Sequence, residues 1–278
     1  MTDGMDGMDG MDGQPPQGDW LGTKHLRFER HGPLARCVVD RPEKRNAMTG
    51  AMYFGVRYAS NRVDADPDLA GMLLTGTGDV FIPGGDLGDG STDEWNIGEF
   101  LFMDTTPFDA LRQAHKPVVS AVNGICQGGG LMMAMLSDVT VASERATFRA
   151  PELLRGIADT NYAQILPRQI GPSRARDMLL TGRTVTAEEA LEWGLVSRLV
   201  PHDDLLDAAT EALIACCRTA PGARSDIKRS LDQYYGLYDR IGMISSLRGP
   251  ETTEGFLAFK ERRNPSWVHP DLRTDGRL

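Results

Sequence analysis

Polar and apolar residues alternate along "KHLRFERHGPLARCVVD", Lys24 to Asp40, on either side of a His-Gly-Pro break. A period of two, with β-branched residues flanking a turn, predicts a β-hairpin. The polar "RPEKRNAM" that follows is a loop, and Thr49 or a neighbour starts a helix running to about Val63. Short apolar runs then recur, each stopped by glycine or serine: "AGMLLTGTG" from Ala70, "KPVVSAVNG" from Lys116 and "DVTVAS" from Asp138. Their length and continuity fit buried strands. Helical stretches at Pro107–His115 and Gly129–Leu136 separate them, so the pattern predicts an α/β architecture with crossover connections.

The periodicity changes at Asp203. "DDLLDAATEALIACCRTAP", "ARSDIKRSLDQYYGLYDRIGMISSL" and "ETTEGFLAFKERR" are amphipathic with a helical repeat, predicting an all-helical last third. The opening "MTDGMDGMDGMDGQPPQGD" repeats Met-Asp-Gly and ends in prolines, a composition that buries no apolar surface. The expected division is a disordered tail over 1–19, an α/β core over 20–202 and a helical region over 203–278.

Composition mainly restricts partners. A formal net charge of -9 opposes sequence-independent nucleic-acid binding, which needs a positive field. No apolar run is long enough to span a bilayer and the N-terminus lacks signal-peptide order, so the expected location is cytoplasmic, with no membrane partner. Cys37, Cys126, Cys216 and Cys217 have neither metal-site spacing nor a disulfide pattern and read as reduced thiols. The five histidines are scattered without an HExxH pair, so no metal site is expected.

Candidate chemistry lies in the glycines. In "VNGICQGGGLMMAMLSD", Val122 to Asp138, three glycines follow a strand and open a helix. Unpaired N–H groups at a helix start favour negative charge, and glycine lets a ligand approach the backbone. Close helix-to-strand packing explains a lone GGG equally well. No Walker lysine follows, which disfavours a nucleoside triphosphate. A second glycine-rich stretch, "DVFIPGGDLGDG" from Asp79, also follows a strand, and amides from two such loops suit the binding of one enolate oxygen.

"RPEKRNAM", "FIPGGDL", "KPVVSAVNGICQGGGLMMAMLSDVTVASERATF", "PELLRGI" and "LLTGRTVTAEEALEWGLVSRLVP" together resemble the enoyl-CoA hydratase/isomerase family, the crotonases, in the expected order from about Lys24 to Lys260. The resemblance implies a spiral of ββα units with a C-terminal helical trimerisation region, assembled as a homotrimer or dimer of trimers. It implies an acyl-CoA thioester substrate, so coenzyme A enters as part of the substrate and no prosthetic group is expected. Carried over by position, the two oxyanion-hole amides belong to Gly85 and Gly129. Lys44, Arg45, Lys228 and Lys260 match positions with basic groups near the CoA adenine and phosphates, although solvated surface charge explains such residues too. Phe259 and Lys260 resemble the helix that closes over the ligand, and Gly88 to Asp104 would line the acyl pocket.

The sequence departs from the family where chemistry is decided. Family hydratases pair two glutamates about a water; the second matches Glu152, but Met132 stands where the first is expected. A single carboxylate suffices to move a proton between carbons, so the resemblance implies isomerase-like chemistry or an atypical hydratase. Asp159, in a turn the family usually fills with proline and glycine, reads either as a replacement acid or as the N-cap of the next helix. A hydrolase or C–C bond-cleaving variant using Asp159, and a catalytically inactive acyl-CoA-binding or scaffold protein, stay open as alternatives.

Overall fold

The structure is a computed structural model and describes residues 14–86, 106–234, 247–268 and 273. The segment expected to line the acyl pocket, Gly88 to Asp104, lies outside these residues, as does the Met-Asp-Gly repeat. In chain order the elements begin β1 (Leu26–His31), β2 (Leu34–Val39), α1 (Gly50–Ala65), β3 (Gly71–Gly76), β4 (Val80–Ile82) and α2 (Pro107–Gln113). They continue with β5 (Val118–Val122), β6 (Ile125–Gln127), α3 (Gly129–Leu136), β7 (Val139–Ser143), β8 (Thr147–Arg149), α4 (Thr160–Ile170) and α5 (Pro172–Thr181). The last are β9 (Val185–Thr186), α6 (Ala187–Trp193), β10 (Arg198–Val200), α7 (Leu205–Cys217), α8 (Pro221–Tyr234) and α9 (Pro250–Glu261).

The predicted hairpin forms as β1 and β2, antiparallel and closed by Gly32-Pro33, with Gly32 at φ 59°. The buried runs become a parallel ladder, and the larger sheet is ordered β1-β2-β3-β5-β7-β10. Every residue of β5 is buried, as expected for a central strand with both faces covered. Helix α7 lies on this sheet, and Ala209, Ala212 and Leu213 pack with Leu73, Val119 and Val141. Burying such side chains is worth about 1.5–3 kcal/mol for each large one. A smaller sheet is ordered β4-β6-β8-β9, and its strands β4 and β6 run parallel.

By compactness the chain forms two units, 1–148 with 186–234, and 149–185 with 235–278. This division differs from the chain-order one expected from periodicity, because α7 and α8 belong with the larger sheet. The expected tail ends at Asp19, yet its final residues are bonded. Gln17 and Trp20 exchange backbone hydrogen bonds at 2.9 and 3.0 Å, and Asp19 accepts from Arg30 and Arg62. All four cysteines are free thiols. Among the described residues no helix is long and apolar enough to cross a membrane.

Candidate active site

In the first unit, β4 and β6 pair side by side and end in the two glycine stretches, residues 83–86 and 128–130. Their parallel pairing brings both loops to the same edge of the small sheet. A Cβ on Gly84 would lie 3.6 Å from the Gln127 carbonyl oxygen and 3.9 Å from the Gly128 Cα, so the loops touch. Met48 pins the first loop on both sides of Gly85: its N–H donates to the Gly84 carbonyl at 2.9 Å, and its carbonyl accepts from the Asp86 N–H at 2.8 Å. The Gly84 carbonyl and the Gly85 N–H share one trans peptide and point in opposite directions. With Gly84 and Asp86 bonded to Met48, the Gly85 N–H points the other way.

Gly129 is the first residue of α3, where helix geometry leaves the N–H without an internal acceptor. Neither the Gly85 nor the Gly129 amide donates to any described residue. Two unspent donors therefore stand on touching loops, an arrangement suited to one oxygen that gains negative charge.

The three consecutive glycines serve three different ends. Gly128, at φ 52° and ψ -130°, occupies a conformation open to glycine alone. Gly129 faces Tyr53: a Cβ there would come to 2.9 Å from the ring atoms Cε1 and Cζ and closer still to the hydroxyl. Gly130 packs on β4, where a Cβ would collide with the Ile82 carbonyl. Leu131, Met132 and Met133 behind them are buried. The helix therefore starts apolar, and Met132 fills the place where a first glutamate is expected.

The loop around Met48 is itself stapled. The buried Asn46 accepts from the Arg41 N–H at 3.0 Å and donates through Nδ2 to the carbonyls of Thr77 at 3.0 Å and Val80 at 2.7 Å. Arg41 donates to the Asp86 carboxylate at 2.8 Å and to the Ala47 carbonyl at 2.9 Å. Asn123 donates to the Gly78 carbonyl at 2.7 Å. Sequence reasoning missed Arg41, Asn46, Tyr53 and Asn123; the only signal was that "RPEKRN" and "VNG" place polar residues beside predicted strands.

Glu152 belongs to the second unit. It opens a 3-10 turn, Glu152–Arg155, that ends at Gly156 with φ 69°. Its Oε2 is buried and has no hydrogen-bond partner among the described residues. Burial, followed by the negative charge of Asp159, raises its pKa to about 8. The nearby Arg155 charge pulls the other way without reversing the shift. Asp159 caps α4, its Oδ1 accepting from the Asn161 N–H at 3.0 Å, so the N-cap role forms as one of the two expected readings. Burial raises its pKa as well. Helix α9 packs on the turn: Gly255 lies so close that a Cβ would come to 2.8 Å from the Arg155 Cα, and the Thr252 hydroxyl donates to the Gly156 carbonyl at 3.1 Å. The Phe259 ring lies 4.8 Å from the Arg155 guanidinium carbon.

The expected CoA-binding bases differ in their surroundings. Lys44 and Arg45 are exposed at the end of a 3-10 turn. Lys228 instead donates to the Asp138 carboxylate at 2.7 Å and to the Lys116 carbonyl at 3.1 Å, so its charge is engaged within its own chain. Lys260 sits in the last turn of α9.

A model of the enoyl-CoA hydratase/isomerase family matches residues 29–270. The chain belongs to this family. A carnitinyl-CoA dehydratase of Salmonella arizonae is 34% identical over 262 residues, covering 88% of this chain and 98% of that protein. Among solved structures, a carnitinyl-CoA hydratase from Mycobacterium avium aligns with a TM-score of 0.76 and 31% identity, over 88% of this chain and 98% of that one. A monofunctional enoyl-CoA isomerase from M. smegmatis aligns at 0.64 and 31%, over 80% and 99%. The crotonase fold expected from the sequence is thus the fold observed, and family membership makes the protein an enzyme of lyase or isomerase type.

Proposed function

We propose that this enzyme holds the thioester oxygen of an acyl-CoA between the Gly85 and Gly129 amides and moves a proton with Glu152 as its single carboxylate. The observation that carries the reading is the pair of unspent amides on touching loops. Fixed donors of this kind stabilise an enolate oxygen without reorganising, and removing one typically costs about 3 kcal/mol of barrier. Glu152 suits proton transfer because a carboxyl group poised near neutral pH both takes and returns a proton. Met132 supports a one-carboxylate mechanism, such as double-bond migration. Lys44 and Arg45 are proposed to meet the CoA phosphates, since exposed flexible bases suit that task.

A second reading is reversible dehydration of a hydroxyacyl-CoA. It is favoured by the relatives named carnitinyl-CoA dehydratase and hydratase. Catalysis through Asp159 is less favoured, because its carboxylate is already engaged in capping α4.

The test compares a 3-enoyl-CoA, crotonyl-CoA and a hydroxyacyl-CoA for wild type and Glu152→Gln. Turnover of the 3-enoyl ester, reduced about a hundredfold or more in the variant, is expected. The base must be deprotonated to start the reaction, so kcat/KM should rise with pH through about 8. Full activity of Glu152→Gln refutes the assignment, and tight ester binding without turnover of any of the three would make the protein a binding scaffold.

A further inference from the structure

Two buried asparagines stand behind the pair of amides, one on the chain leading to each loop. Asn46 lies two residues before Met48, whose backbone pins the Gly85 loop, and Asn123 lies two residues before β6, which runs into the Gly129 loop. They are 1% and 5% exposed. Both direct Nδ2 at one atom: the Val80 carbonyl accepts from Asn46 at 2.7 Å and from Asn123 at 3.3 Å. Val80 is the first residue of β4, the strand that leads to Gly84 and Gly85, and it pairs with Ile125, the first residue of β6. Each side chain takes a second hold on the turn between β3 and β4, Asn46 on the Thr77 carbonyl at 3.0 Å and Asn123 on the Gly78 carbonyl at 2.7 Å.

The strand pairing that separates the two loops is short. β4 and β6 have three residues each, and their register is irregular between Val80 and Ile82. Donors that serve one oxygen must be held to within about 0.5 Å, which such a pairing does not secure without support. The carboxamides supply it, and their acceptor atoms are bonded too. Asn46 Oδ1 accepts from the Arg41 N–H at 3.0 Å and the Thr77 hydroxyl at 3.3 Å, and Asn123 Oδ1 accepts from the Gly76 N–H at 3.3 Å. Resting on the proposed function above, we infer that Asn46 and Asn123 are positioning residues, which by meeting at the Val80 carbonyl set the spacing of the Gly85 and Gly129 amides. Neither side chain takes part in the reaction itself.

Asn46→Gly removes one carboxamide and suits the backbone there, since φ 61° is open to glycine; Asn123→Ser removes the other hold on Val80. With the preferred ester, each variant should lose roughly tenfold in kcat while KM changes less than about threefold, because misplaced donors cost most in the transition state. Ser60→Ala deletes a buried hydroxyl bonded to the Ala110 carbonyl at 3.2 Å; it should melt earlier with wild-type kcat, separating misplacement from lost stability. A conjugated 2,4-dienoyl-CoA reads the donors without turnover: hydrogen bonds to its carbonyl oxygen move its absorption band to longer wavelength, and the shift should be smaller in both asparagine variants. Should one of the two fail to fold, the other carries the comparison. A folded variant with wild-type kcat and the full band shift overturns the positioning role and leaves the amides as donors. An unshifted band for the ester bound to wild type overturns the oxyanion reading, and the positioning role falls with it.

Discussion

At the residue scale, the three glycines are equivalent in sequence and unequal in space. Gly130 abuts the Ile82 carbonyl, a backbone atom of a paired strand that has little room to yield. Gly130→Ala should therefore destabilise by about 1–3 kcal/mol, as overpacking does. Gly129 meets the end of a tyrosine side chain, which gives way more easily than backbone. Gly129→Ala should melt nearer wild type yet lose about tenfold or more in kcat, since the Tyr53 ring must move beside the donor. A Cβ on Gly85 meets nothing within 4 Å and its φ is not positive, so Gly85→Ala should stay within about 0.5 kcal/mol of wild type in stability. Melting curves and turnover of the three variants check this order; a Gly129→Ala protein with unchanged kcat would contradict the placement of the site.

At the scale of elements, the reactive loops are held by neighbours that carry no chemistry. β4 and β6 set the loop spacing, Tyr53 of α1 abuts Gly129, and the Arg41–Asp86 pair ties the residue after Gly85 to the loop before α1. Asp86→Asn should cost about 1.5–3 kcal/mol, the range for a hydrogen bond to a charged group. It should also lower kcat, because the Gly85 amide loses its anchor. Lys228→Met, which breaks the Lys228–Asp138 pair away from these loops, should lower the melting temperature without changing kcat. Equal kcat in the two variants would show that the Arg41 link does not orient the amide. Much of this layer was legible: alternation marked the hairpin, apolar runs marked β3, β5 and β7, and Thr49 marked the start of α1. The stapling was not, because Arg41 and Asp86 are 45 residues apart and nothing local in either segment announces the other.

At the scale of the whole molecule, assembly is the remaining expectation. Ile227 and Leu231 stand one turn apart on α8, each 62% exposed. We propose that further copies of the chain cover them, as the family resemblance implies. Sedimentation should give a trimer or hexamer for wild type and smaller species for Ile227→Asp combined with Leu231→Asp. A wild-type monomer at micromolar concentration would remove the oligomer from the proposal.

The sequence by itself determined the fold class, most element positions and the identity of the glycines and Glu152 as candidates. Periodicity and turn residues are local, and the family motifs occur in order along most of the chain. Only the tertiary structure decided the surroundings of each candidate. Lys228 reads as a phosphate-binding base, and the fold brings it to the Asp138 carboxylate, 90 residues away. Asp159 reads as an acid or a cap, and the fold sets its carboxylate on the Asn161 amide as a cap. Tyr53 looks like any aromatic of an amphipathic helix until its hydroxyl is found against Gly129. Burial and hydrogen bonding depend on neighbours distant in the chain, and those two quantities set a proton affinity or free a donor.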